Sequence, residues 1–197
     1  MQRTREALVD AGMALFAEQG LDAPSLDAIC ERAGFTRGAF YVHFDDRDDL
    51  LVAVMDRVGA AYLDAVLPAA AEAGTSARAP LVLEEIVRRF LDSVVNGVYP
   101  LLGRPGGVRP HQLVDACVRN PTIRARYVAL VRTSIERLAP AVADGQARER
   151  VRADVDAEQI ATLLLAAIIG GQTMLELGAP LDLSLAAHSL MTLLSPR

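Results

Sequence analysis

The chain contains no lysine and no tryptophan; all twenty of its basic side chains are arginines. Without lysine there is no P-loop lysine, no pyridoxal Schiff base and no amine nucleophile. Cysteine is nearly as scarce, with only Cys30 and Cys117 present and no Cys-x-x-Cys pair. Two separated thiols suggest a reducing compartment. Cys30 falls on an apolar helix face and is expected in the core. Cys117 reads as a buried thiol, with a redox sensor as its alternative. The histidines, His43, His111 and His188, stand far apart, and none has a His or Cys at metal-ligand spacing. Gly-x-Gly-x-x-Gly and Gly-x-Ser-x-Gly are absent too. No metal, no cofactor and no catalytic residue is expected; an enzyme would need a site assembled only in space.

Aromatics make up 5% of the chain and no strand-like alternation persists, whereas alanine and leucine abound. That composition predicts an all-α protein. Met1 to Arg5 leads into an amphipathic helix rather than an apolar leader, so no secretory signal is expected. The most apolar run, Ile160 to Gly171, is shorter than the roughly 20 residues that cross a bilayer. A cytoplasmic protein with no membrane partner is the expectation.

What the chain does have is concentrated in residues 25–44. Ser25 follows Pro24 and opens an apolar pattern, so its hydroxyl can cap a helix start, with Asp27 suited to the first turn. Leu26, Ile29, Cys30 and Ala33 share one helical face. Gly34 can adopt the left-handed conformation that ends the helix. Thr36 then caps a second, shorter helix, with Phe35, Phe40 and Phe44 available to hold it down. Neither helix completes a capping box, because Ala28 and Ala39 occupy the positions where Glu or Gln would sit. Two short helices joined by a tight turn have the form of a helix-turn-helix.

The wording around that turn resembles the tetracycline-repressor (TetR) family of transcriptional regulators over residues 5–55. Ala7, Leu8, Ala11, Leu15 and Phe16, followed by Glu18-Gln19-Gly20, are similar to the family's first helix. Phe44 to Leu50 is similar to its entry into a long fourth helix. Thr36-Arg37-Gly38-Ala39, with Tyr41, His43 and Phe44, resembles the multidrug-sensing repressors in particular. The resemblance implies a three-helix DNA-binding domain over residues 1–46 and a helical effector-binding and dimerising domain over 47–197.

It also implies roles for single residues. Arg37 has the planar fork that reads guanine O6 and N7. Thr36 and Tyr41 can donate to phosphates, and Gly38 permits close backbone approach. His43, Arg47 and Ser25 are placed at phosphates by resemblance. Each has a plainer alternative: Ser25 and Thr36 as caps alone, Tyr41 as core, His43 as an ordinary surface histidine. The partner implied is double-stranded DNA with a palindromic operator, read by a homodimer whose recognition helices lie about 34–36 Å apart.

The charge distribution runs against this reading. Residues 1–50 carry five arginines against ten carboxylates, a deficit equal to the net −5 of the whole chain. A nucleic-acid binder usually shows a basic footprint. The run Asp45-Asp46-Arg47-Asp48-Asp49 departs from the family's usual wording. Those acids can serve a helix start instead, with Asp46 as cap and Asp48 and Asp49 in the first turn. Weak non-specific DNA binding follows.

Beyond Asp46, helices are predicted over 47–67, 81–98, 111–119, 122–147 (with a bend near Pro140), 156–177 and 182–194. Residues 69–80 read as a loop or short irregular helix and 101–110 as a turn-prone connector. The resemblance implies that the last two helices pair with their copies in a second subunit. Ile160, Leu163, Leu164, Ala167, Ile168 and Gly171, with Leu183, Ala187, Leu190, Met191 and Leu194, are the interface so implied; ordinary internal core is the alternative. Tyr62, Phe90, Val94, Tyr99, His111, Cys117, Tyr127, Val131 and Met174 are the implied lining of a pocket for a small, largely apolar effector, each equally readable as core. The function expected is a repressor released by that effector. A helical ligand-binding or scaffold protein that has lost DNA binding is the alternative.

Overall fold

In the computed structural model, residues 2–66, 108 and 110–196 are described. They contain α1 Gln2–Gln19, α2 Leu26–Ala33, α3 Arg37–Tyr41, α4 Arg47–Val66, α5 Pro110–Arg119, α6 Pro121–Ala147, α7 Ala157–Glu176 and α8 Leu183–Leu194. The expected helix over 81–98, the loop over 69–80 and most of the connector over 101–110 lie outside the described residues. Chain contacts divide the protein into two compact units. One joins Met1–Tyr62 to Gly97–Ala129; the other joins Leu63–Asn96 to Leu130–Arg197.

The first unit is organised around the apolar face of α1. Leu8, Val9, Leu15 and Phe16 are buried there, with Ile29 from α2, Phe40 from α3, and Leu50 and Val54 from α4. Each of these side chains contributes about 1.5–3 kcal/mol by leaving water. Gly12 lets α4 come close: a Cβ at that position would lie 3.1 Å from Leu50 Cδ2. At Gly20 the chain leaves α1 with φ +79, a left-handed conformation that favours glycine. Its missing side chain leaves room for Gln112 of α5, whose Oε1 would stand 2.9 Å from a Cβ there.

Polar contacts pin α5 and the start of α6 to the N-terminal helices. Gln112 Nε2 donates to Asp22 Oδ2 at 3.2 Å, and Arg119 Nη2 donates to Asp22 Oδ1 at 3.2 Å. Asn120 caps α6 by accepting from the Thr122 and Ile123 N–H groups, while its own amide donates to Asp48 Oδ2 at 2.9 Å. Arg126 pairs with Asp56. Carboxylates of the α1–α2 loop and of α4 therefore have partners on α5, on α6 and at the cap between them.

The second unit packs Leu138 and Val142 of α6 with Val151, with Ile160, Ala161 and Leu164 of α7, and with Leu194 of α8. Three residues expected at a subunit interface, Ile160, Leu164 and Leu194, are thus internal core. Leu164 follows Leu163 in sequence but turns away from the exposed Glu158, Gln159 and Thr162, with which Leu163 shares a face. Helix α6 continues through Pro140, which offers no N–H to the Glu136 carbonyl. The turn after α6 is stitched by Gln146, whose amide donates to the Arg152 and Val155 carbonyls at 2.9 and 2.7 Å.

Gly145 is required at that turn. A Cβ there would sit 2.7 Å from Val151 Cγ2, and Val151 is buried and stiff at its first torsion. Gly145→Ala is expected to lower stability by about 1–2 kcal/mol although alanine favours a helix. The midpoint of urea unfolding measures it; an unchanged midpoint would show that Val151 gives way without cost.

Helix α7 has 20 residues, and an 18-residue stretch of it has a mean hydropathy of 1.3, so by length and composition alone it could cross a membrane. Much of its surface is left bare within the chain: Leu163 is 62% exposed and Met174 46%.

Candidate nucleic-acid interface

The α2–α3 segment follows from its capping residues. Ser25, extended at φ −79 and ψ 161, accepts the Ala28 N–H at 3.1 Å and starts α2. Gly34, at φ 75, ends it; the Phe35 N–H then donates back to the Cys30 carbonyl at 2.9 Å, satisfying a group the helix end leaves open. Thr36, at φ −85 and ψ 162, accepts the Ala39 N–H at 3.3 Å and starts α3.

Phe40 decides which way α3 faces. It is fully buried, 5.4 Å from the Phe44 ring and edge-on to Tyr41 at 5.5 Å. With Phe40 inward on a five-residue helix, Thr36, Arg37 and Gly38 project into solvent. Tyr41 is 56% exposed, so its core alternative fails, and its ring meets that of Phe40 edge-on. Val42 is exposed beside it and His43 is half-buried. A Cβ at Gly38 would meet only Thr36 Oγ1 at 3.7 Å, an ordinary contact. The chain's own packing therefore does not demand glycine at that outward position.

Arg47 departs from its expected place. Its guanidinium turns inward, with Nε donating to the Pro24 carbonyl at 3.0 Å and Nη2 donating to the Leu21 carbonyl. The same group lies over the Phe16 ring, 5.2 Å from its centre. Burial pushes its pKa down, with Asp48 and Asp22 opposing and Arg119 adding to the fall. Arg47 thus ties the start of α4 to the α1–α2 loop, whose carbonyls α2 does not use. Arg5 lies in the same manner over Phe44, at 5.2 Å.

The acidic surplus is largely spoken for within the first unit. Glu18 takes Arg32 in a two-pronged pair at 2.6 Å, Asp10 takes Arg57, and Asp27 takes Arg37 Nε at 2.7 Å. Asp46 accepts the Asp49 N–H at 2.8 Å as the cap of α4, and Asp49 accepts the Asp45 N–H at 3.3 Å. Arg32 holds the Glu18 carboxyl below its ordinary range. The ion pair between Asp27 and Arg37 was not anticipated, although both residues open their helices. Cys30 lies near both: burial raises its pKa, Asp27 adds to the rise and Arg37 opposes it. Such a thiol is not a reactive nucleophile at neutral pH.

Of the residues expected to line an effector pocket, Phe90, Val94, Tyr99 and the Tyr62 side chain lie outside the described residues. Cys117 and Tyr127 both lie in the first unit, Cys117 buried on α5 and Tyr127 half-buried on α6. Burial raises the Tyr127 pKa, with Cys117 adding to the rise, and burial likewise raises Cys117, with Arg124 opposing. His111 is exposed on α5; Val131 is half-buried and Met174 exposed in the second unit. A shallow groove of about 500 Å³ in the second unit is lined by Glu136, Ala139, Pro140, Ala143, Asp156, Ala157 and Glu158. It includes none of the expected pocket residues. No cluster of His, Cys, Asp and Glu that could hold a metal occurs among the described residues.

The outward faces of α7 and α8 carry Leu163 and Ala167, with Ile168, Gly171, Leu183, Ala187, Leu190 and Met191 half-exposed. The sequence reading missed Leu177, Leu185 and Leu193, which are 80%, 62% and 68% exposed. Leu177 caps the end of α7, while Leu185 and Leu193 lie on α8, whose polar residues Ser184, His188 and Thr192 share one face.

Residues 8–54 match the profile of the bacterial regulatory proteins of the tetR family, and residues 84–189 that of the tetracyclin repressor-like C-terminal domain. The HTH-type transcriptional regulator AcrR of Shigella flexneri is 47% identical over 49 residues, which are 25% of this chain and only 23% of AcrR. The HTH-type transcriptional regulator UidR of Escherichia coli strain K12 is 24% identical over 164 residues, covering 83% of this chain and 77% of UidR. SmeT, the repressor of the Stenotrophomonas maltophilia multidrug efflux pump SmeDEF, superposes with a TM-score of 0.64 at 22% identity, over 96% of this chain and 87% of that one. SmeT has also been solved in complex with triclosan.

Proposed function

This chain belongs to the TetR family of bacterial regulatory proteins, and on that premise we propose that it acts as a DNA-binding transcriptional repressor that a small, largely apolar effector releases. The observation that carries the proposal is the outward tip of α3, where Thr36, Arg37, Gly38 and Tyr41 face solvent while Phe40 and Phe44 anchor the helix from behind. Arg37 reads a guanine in the major groove. Thr36, Tyr41 and His43 contact phosphates, and Ser25 adds one at the start of α2. Arg47 serves by holding the unit in shape.

A second copy completes the reader. Its recognition helix engages the next half-site of a palindrome, one helical turn away. Leu163, Ala167, Ile168, Gly171, Leu183, Ala187, Leu190 and Met191, with the newly exposed Leu177, Leu185 and Leu193, form the subunit face. Residues 1–46 read DNA; residues 47–197 dimerise and bind the effector. The likeness to SmeT, which binds triclosan, supports a largely apolar ligand. Cys117 and Tyr127 offer it a soft sulfur and an aromatic ring. The effector acts by favouring a state in which both half-sites cannot be engaged together.

Arg37→Ala tests the reading. Each good arginine–guanine contact carries about 1–3 kcal/mol of discrimination. Operator affinity is therefore expected to fall by about 5- to 150-fold in a fluorescence-anisotropy titration at fixed salt, while affinity for unrelated duplex changes far less. Equal loss on both duplexes would remove Arg37 from base reading.

A further inference from the structure

We propose that Asp27 is a specificity-determining residue that acts through Arg37, holding the arginine for a guanine and away from phosphates; the inference rests on the DNA-reading function proposed above. Asp27 Oδ1 lies 2.7 Å from Arg37 Nε, across the turn between α2 and α3. Both side chains are exposed, 69% for Asp27 and 59% for Arg37, so the pair adds little to folding stability. Its consequence is for the position of the arginine head.

Nε is the guanidinium nitrogen nearest the stem, and the planar fork moves as one body. A carboxylate charge beside Nε draws the guanidinium toward α2 and biases the direction in which the terminal Nη1 and Nη2 groups project. Those two donors form the edge that can span guanine O6 and N7. An arginine on a long flexible stem with no such partner can swing to any nearby phosphate, because phosphate attraction carries no sequence information. Asp27 opposes that swing twice over. It occupies the cation, and its own charge repels the backbone that would replace it.

The other acids around the motif do different work. Glu18 takes Arg32, and Asp46 and Asp49 bind backbone N–H groups at the start of α4. Among the described ion pairs, Asp27–Arg37 alone engages a residue of α3. A surface that already carries a net negative charge thereby uses one acid to select where its exposed arginine binds.

The test compares the full chain with Asp27→Asn, Asp27→Glu, Arg37→Ala and the Asp27→Asn/Arg37→Ala double variant. Each is titrated against its footprinted operator duplex and a duplex of scrambled sequence, at several salt concentrations. Melting curves confirm that each variant folds. Asp27→Asn is expected to lower the operator-to-scrambled affinity ratio by about two- to fivefold, largely by tightening the scrambled complex. Asp27→Glu, which keeps the carboxylate, is expected to retain most of the ratio. In the Arg37→Ala background, Asp27→Asn is expected to leave the ratio unchanged.

If Asp27→Asn tightens both duplexes by one factor, Asp27 is only a repelling charge and the inference is overturned while the DNA-reading function stands. The same holds if the ratio shifts equally with Arg37 absent. If the parent chain prefers no sequence at all, the DNA-reading function falls and takes this inference with it.

Discussion

A Phe40→Ala variant unfolds at far lower denaturant than the parent chain and loses operator binding with its fold. The expected loss is about 3–5 kcal/mol, the range for emptying a fully buried phenylalanine site. Phe40 is 0% exposed and shares its space with Phe44, so no solvent can enter to fill the void without wetting the core of the first unit. The helix it anchors has five residues, too few to persist in water unless packing holds it. Urea unfolding followed by circular dichroism gives the stability; hydrogen exchange at the N–H groups of residues 26–44 locates the loss. A drop below about 1 kcal/mol would mean that α3 is held by something other than Phe40.

Arg47→Ala is expected to cost about 2–4 kcal/mol, because charged donors to buried carbonyls are worth more than neutral ones and the stranded acceptors add their own penalty. The Leu21 and Pro24 carbonyls lose their donor together, and Phe16 loses the cation over its ring. Lysine, with a single point charge, cannot reproduce two divergent hydrogen bonds and the stacking, so Arg47→Lys should restore well under half of the loss. The denaturation midpoint separates this role from the phosphate contact first expected. A phosphate ligand would leave stability intact and lower the salt slope of DNA binding by about one ion.

How far the sequence reached is clear from these two residues. Phe40 was legible because a capping threonine and a short helix leave the nearby phenylalanines to hold it down; Phe40 and Phe44 are buried, while Phe35 is only half-buried. Arg47 was not, because its acceptors are main-chain carbonyls at Leu21 and Pro24, which leave no mark on residue type. The acidic surplus shows the same limit. A composition count sees ten carboxylates; it does not see that Asp22 holds Gln112 and Arg119, or that Asp48 holds Asn120, because those partners are remote in the chain. The apolar helices near the C-terminus were legible as helices but not as faces. Ile160 and Leu164 point inward while Leu163 points outward on the face of Glu158, Gln159 and Thr162, a polar cue that a count of apolar residues passes over.

The central claim is that the outward tip of α3 reads DNA in pairs. The most direct measurement is a genome-wide footprint of the purified full chain, repeated with Arg37→Ala. The account predicts protection of a palindrome whose half-sites are centred about 34–36 Å apart along the duplex, and its disappearance in the variant. Protection without sequence preference, or a footprint that Arg37→Ala leaves intact, would contradict it.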